Sequence, residues 1–373
     1  MRSGTISLLL LLLALPAWAA RTVTVDQIRH ILADAHGLSD AKLAGDLSDL
    51  EPTERLSAAT LAQFEAELSG ARSREALLEL ADASAFLALP ASENLNQPPP
   101  DAAGFRRIID NVIQYLGKSI PNLPNFLATR ETLYFEDSPW RKEIDNSRSI
   151  GANNVTQSVG SAHITIGQPY WLAMYSAGNT SGQVSYRDGR EVPATTAASE
   201  REVERIGLTT RGEFGPILAI VVSDALHNKL YWDHWEPGDG GPVAVFRYTV
   251  PPSGSHYTVN YPSESGVKLI SPGYHGLLAI DPETGAVLRL TIVADMQAPF
   301  QFIQVGIVVE YGPVHLGDKT YICPLHAVAL SRQPTEETKS VTPPLRTCLN
   351  DVTFTSYHLF HADARVLPST HEP

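Results

Sequence analysis

Three consecutive prolines, Pro98 to Pro100, divide the chain into two stretches with different hydrophobic periods. Proline fixes its own φ and pushes the preceding residue toward extended backbone, so neither a helix nor a paired strand runs through such a tract. The surrounding polar segment, Ala91 to Asp101 (ASENLNQPPPD), reads as a linker over 91–102. Before it, apolar residues recur at spacings of three and four. After one further helix, they alternate in twos.

Residues 20–90 read as a helical region. Thr24 and Gln27 form a capping-box pattern ahead of Ile28, Ile31, Leu32 and Ala35, and Gly37 supplies a stop. Ser57 can cap a second run carrying Leu61, Phe64 and Leu68. A third starts at Ser73, holds Leu77, Leu80 and Phe86, and halts at Pro90. Leu38-Ser39…Leu43 resembles Leu56-Ser57…Leu61, a repeat of two copies only.

Beyond the prolines, Phe105, Ile108, Ile109, Val112, Ile113 and Leu116 mark a helix, and Phe126–Phe135 a first strand. Gln183–Tyr186 and Arg190–Val192 flank Asp188-Gly189, a hairpin signature. Gly212 to Asp224 is an apolar helix. Val243–Val250, His256–Tyr261, Gly276–Asp281, Ala286–Ala294, Phe300–Tyr311, Thr320–Ser331 and Leu349–Phe360 follow as strands with short connections. Short connections imply antiparallel neighbours and a meander. The expected fold is α+β: a helical N-terminal region, then a domain over 103–365 built on a large curved antiparallel β-sheet. That sheet would be an incomplete barrel with a covering helix.

The 373 residues are 43% hydrophobic and 18% charged, which suits a packed globular chain rather than a disordered one. A net charge of -13 with no basic cluster argues against nucleic acid and anionic membranes as partners. Residues 1–19 read as a signal peptide: Arg2, the apolar run Leu8–Leu13, then Ala17-Trp18-Ala19 as a cleavage site. No later run is apolar enough to span a bilayer. The mature protein is expected to be exported, periplasmic or extracellular, without a transmembrane segment.

Export bears on the two cysteines, Cys323 and Cys348. In an oxidising compartment a lone pair is most simply a disulfide, here stapling the last hairpin and closing a loop of about 25 residues worth roughly 3 kcal/mol. The alternative is two buried free thiols.

Catalytic motifs are absent: no G-x-S-x-G, H-E-x-x-H, P-loop or dinucleotide fingerprint occurs. Trp232-Asp233-His234-Trp235-Glu236 is the densest cluster of chemistry-bearing residues. Regular alternation would place Trp232, His234 and Glu236 on one face, as a sugar-stacking or acid–base site. The competing reading is one Trp in the core and the polar residues in solvent. Trp232, His234, Trp235 and Glu236 are therefore candidate ligand contacts, not assigned catalysts. His358 with His361 and Asp363 is a poor metal set, because an offset of three on a strand faces opposite sides. Ser255-His256 and Tyr274-His275 with Asp281 make a triad on paper only. Asn154-Val155-Thr156 and Asn179-Thr180-Ser181 match the glycosylation sequon. No cofactor and no metal is assigned.

From residue 103 onward the order of elements, with the segment HGLLAIDPETGAVLRLTI (His275–Ile292), resembles periplasmic lipoprotein carriers and related sigma-factor regulators. That resemblance implies an incomplete antiparallel barrel around a helical plug. It supplies no residue-level site. The function expected is exported, non-enzymatic binding of a hydrophobic ligand, such as a lipid, or of an envelope protein in a concave sheet groove. One alternative is an extracellular hydrolase using Asp233, His234 and Glu236. Another is a structural or interaction module docking through its helical region.

Overall fold

The computed structural model describes residues 21–137, 156–159, 162–165, 174–193, 208, 210–263, 266–296, 304–334 and 345–360. Residues 1–19, expected to be a signal peptide, and Asn154, His361 and Asp363 lie outside the described residues.

The N-terminal helices begin where their caps allow. Helix α1 (Val25–Asp34) opens at Thr24, whose side chain accepts from the Gln27 amide while the Gln27 side chain accepts from the Thr24 amide. The capping box is thus reciprocal. Ser39 caps α2 (Asp40–Ser48), and Ser57 caps α3 (Ala58–Glu67), so both copies of the short Leu-Ser pattern start helices. Helix α4 (Ala71–Ser84) lacks a cap from its own N-cap residue, Gly70. Asp40 substitutes from α2, accepting the amides of Arg72 at 3.1 Å and Ser73 at 2.8 Å. Two three-residue strands, β1 (Arg21–Val23) and β2 (Leu50–Pro52), pair in parallel beside these helices. They are too short for any periodicity to announce. Ile28, Leu47, Phe64, Leu77 and Leu80 form the core of this region.

The proline tract is not a free span. The Leu95 amide donates to the Trp235 carbonyl at 3.2 Å, and the Trp235 indole donates to the Pro98 carbonyl at 2.9 Å. Asp101 then caps α5 (Ala102–Ser119) by accepting from the Gly104 amide at 2.7 Å.

The remaining strands within the ten-stranded antiparallel sheet are β3 (Phe126–Glu136), β6 (Tyr175–Arg187), β7 (Arg190–Pro193), β8 (Lys229–Gly238), β9 (Gly241–Val250), β12 (Tyr274–Ile280), β13 (Val287–Ala294), β14 (Gln304–Leu316), β15 (Lys319–Pro334) and β16 (Leu345–Leu359). Their order is β7-β6-β3-β16-β15-β14-β13-β12-β9-β8, and β7 and β8 are unclosed edges. The long meander holds from β12 to β16. Strands β4 (Thr156–Val159) with β5 (Ala162–Thr165), and β10 (Val259–Ser263) with β11 (Gly266–Ile270), form separate hairpins. The strand expected at His256–Tyr261 therefore leaves the sheet, and β12 pairs with β9 directly. Asp188 and Gly189, both at positive φ (51° and 77°), turn β6 into β7 as the dipeptide predicts.

Helix α6 (Pro216–His227) and α5 cover one face of the sheet. Val221, Val222 and Ala225 of α6 and Ile108 and Val112 of α5 pack there against Phe246, Tyr248, Leu290 and Val309. The turn Asp281–Gly285 docks on α5. Asn111 donates to the carbonyls of Pro282 at 3.0 Å and Glu283 at 3.2 Å. Gly285, at φ +75°, leaves no room for a Cβ, which would stand 2.2 Å from the Asn111 backbone. The opposite face carries Phe135, Val308, Val328, Leu330 and Leu349 and meets Ala83, Ala85 and Phe86 from the end of α4. Three layers result, with the sheet between two groups of helices.

The expected disulfide is overturned. Cys323 pairs with Gly312 near the β14–β15 turn, whereas Cys348 stands opposite Ser331 at the other end of β15. The eight-residue offset between Cys323 and Ser331 is about 26 Å at the rise of a strand, far beyond the roughly 7 Å Cα limit for a bridge. Both thiols are free and buried, and burial pushes each up to about 12.

Candidate functional site

Strand β8 does not keep regular alternation. Trp232 stands opposite Phe246 and His234 opposite Val245, so Asp233 is an extra residue, a β-bulge. The bulge turns Trp232 and Trp235 to the same side, toward α5 and α6. Their rings meet edge-on with centroids 4.9 Å apart, and Trp232 also meets Phe246 at 5.6 Å. His234 and Glu236 point to the opposite face. Trp232 is thus separated from His234 and Glu236, against the expectation of a shared face, and both indoles pack, partly buried, against the core.

The polar residues of this segment serve one another. His234 Nδ1 lies 2.7 Å from Asp233 Oδ2 and Nε2 lies 2.9 Å from Glu236 Oε1. Arg289 grips Glu236 through two bonds at 2.7 and 2.8 Å, and Arg55 adds a third at 2.9 Å from the helical region. Burial alone would raise the Glu236 carboxyl, but His234, Arg289 and Arg55 hold it far below the usual carboxylate range. A carboxylate held this way has no proton to give, so it is not a general acid. The Glu236 hydrogen bond, helped by Asp233 and opposed by burial, raises His234 above its ordinary value.

Two further histidines flagged by sequence, His256 and His275, also find partners. His256 Nδ1 lies 2.7 Å from Asp224 Oδ1, and Tyr274 donates to the second Asp224 oxygen at 2.8 Å. His275 Nδ1 lies 2.9 Å from Asp295. Asp281 accepts from amides of its own turn. The Ser255, His256, Asp281 combination is not assembled.

Sequence reasoning missed a cavity of about 300 Å³ on the α5–α6 face, whose walls come from segments some two hundred residues apart. Tyr115, Ile120, Phe214, Leu218, Tyr311 and Ile322 line it, with Lys118, an exposed residue, also among its walls. Burial, with a smaller contribution from Cys323, pushes the Tyr115 phenol up to about 12. Burial also raises Tyr311 well above the ordinary value, so both phenols stay protonated. The Tyr311 hydroxyl is buried without a hydrogen-bond partner among the described residues. Such an orphan is costly unless something outside the protein satisfies it.

Among the described residues no helix is long and apolar enough to cross a membrane. No protein-family model, no curated protein and no solved structure matches this chain.

Proposed function

We propose that the protein is an exported, non-enzymatic binding protein that holds a small hydrophobic ligand with one polar head. The cavity under α5 and α6 carries this reading. Its walls combine aromatic and aliphatic side chains with polar ones such as Lys118 and Asn122, it has the size of a small-molecule site, and it holds the Tyr311 hydroxyl, which has no hydrogen-bond partner among the described residues. An acyl chain can occupy the walls while its head group takes the Tyr311 hydroxyl or the Lys118 ammonium. Export rests on residues 1–19, and the resemblance to lipoprotein carriers rests on the order of elements after residue 103.

The binding reading is favoured over the hydrolase alternative by Glu236, whose carboxylate is consumed by two arginines and a histidine. The test is titration with a fluorescent acyl-chain acid, with native mass spectrometry of protein from its own source as a parallel measurement. One equivalent should bind, and Ile322→Trp, which fills the cavity, should weaken binding about tenfold or more, a loss of at least roughly 1.4 kcal/mol. Failure to bind, or equal binding by the filled variant, would overturn the proposal.

A further inference from the structure

The face covered by the N-terminal helices carries a polar row running across five strands. Register aligns Arg289, Glu310, His326, Thr353 and Glu131 in turn. At its centre His326 has different neighbours at its two nitrogens. Nδ1 lies 3.5 Å from Oε2 of Glu310. Nε2 lies 2.9 Å from Oδ2 of Asp351 and 3.6 Å from Oδ1 of Asp82, which descends from α4. One donor atom from each of Asp82, His326 and Asp351 lies within 4.8 Å of the other two.

The two aspartates are buried, at 1% and 2% exposure, and Asp82 Oδ2 has no hydrogen-bond partner among the described residues. Two desolvated carboxylates side by side repel each other unless a cation or a proton lies between them. A cleft of about 570 Å³ between α3, α4 and the sheet reaches the cluster, with Glu310, His326 and Asp351 among its walls. It offers a path for an ion and its water.

We propose that Asp82, His326 and Asp351 bind a divalent first-row transition ion, with Zn2+ the best suited, and that Glu310 orients His326 through its second nitrogen. An imidazole beside two carboxylates selects such ions over Ca2+ and Mg2+, which take oxygen. Donor separations of 2.9 and 3.6 Å bracket the roughly 3.3 Å edge expected around an ion bound at about 2.0–2.1 Å. An imidazole whose other nitrogen meets a carboxylate is the usual partner arrangement behind a metal-bound histidine. The site lies on the opposite face of the sheet from the proposed ligand cavity and does not depend on it.

The test uses the full chain, stripped with EDTA and titrated with ZnCl2 alone by calorimetry, with melting followed in parallel. One equivalent should bind, and the melting temperature should rise with metal. His326→Gln and Asp351→Asn should lose binding while His275→Gln, at an exposed His–Asp pair, keeps it. Glu310→Gln neutralises a half-exposed carboxylate outside the ion's own ligands and keeps its shape, so its fold is safer, and it should weaken binding about tenfold or more. Circular dichroism of each metal-free variant separates lost ligation from lost fold. Absence of stoichiometric binding in the parent chain overturns the proposal. So does unchanged affinity in folded His326→Gln or, if that variant unfolds, in Glu310→Gln.

Discussion

Arg289 on β13 and Glu236 on β8 meet in a two-point ion pair at 2.7 and 2.8 Å although β12 and β9 lie between their strands. The register runs from Arg289 through Ala279 and Val245, both short, to His234, two residues before Glu236 on the same face of β8. Arg55 completes the group from the helical region, so one buried carboxylate ties the N-terminal helices to the far end of the sheet. Two guanidinium nitrogens, Nε of Arg55 and of Arg289, already lack partners among the described residues.

Removing that carboxylate's charge should therefore be costly. Glu236→Gln leaves two buried guanidinium groups without their counter-charge, and breaking a buried pair in this way costs about 3–5 kcal/mol. Urea unfolding at pH 7 should show the midpoint falling accordingly. A change below about 1 kcal/mol would mean the arginines find other partners.

The bulge at Asp233 makes an opposite kind of prediction. Deleting Asp233 joins Trp232, opposite Phe246, to His234, opposite Val245, in an unbroken ladder with every face preserved. The deletion should be tolerated, with near-ultraviolet dichroism of the Trp232–Trp235 pair retained. Deleting Trp235 instead should move Glu236 off its face, lose the Arg289 pair and collapse the same signal.

The cysteines give a chemical check. Chain denatured without reductant should react with two equivalents of a thiol reagent, whereas the native chain should react slowly because both thiols are buried and raised to about 12. Zero equivalents after denaturation would restore the bridge that the strand register forbids.

Glu191 sets a pH dependence. Burial first, then the Glu213 charge, raise its carboxyl from 4.5 to about 7 against the opposing pull of Arg130. The folded chain then holds a proton that the unfolded chain has released, so stability falls as pH rises from about 4.5 to 7 and the loss is complete above that. Calorimetric melting between pH 5 and 8 should show a smaller decline for Glu191→Gln than for the parent. An equal decline in both would assign the slope to other groups.

Much of the architecture was legible because its causes are local. Thr24 with Gln27, Ser57, Asp188-Gly189 and the Asp281–Gly285 turn act over three to five residues, and each appears where the residues place it. The candidate sites were not legible. Tyr115 and Ile322 of the cavity, and Asp82, His326 and Asp351 of the proposed ion site, are brought together across some two hundred residues or more by strand order. No motif spacing survives such a separation.

The α+β class, the change of period at the prolines and the starts of α1 and α3 were determined by the sequence alone, since propensity, capping and turn chemistry act between neighbours. Tertiary structure decided the rest. It put β16 beside β3, sent the Val259–Ser263 strand out of the sheet, and chose which side of β8 each residue of the Trp232–Glu236 segment faces. It also set the two cysteines far apart. The physical reason is that strand register has a period of two, so the extra residue Asp233 shifts the in–out parity of the sequence beyond it while the bulge keeps the pairing with β9 in step. Where that residue is absorbed depends on what the strand packs against, not on its own neighbours.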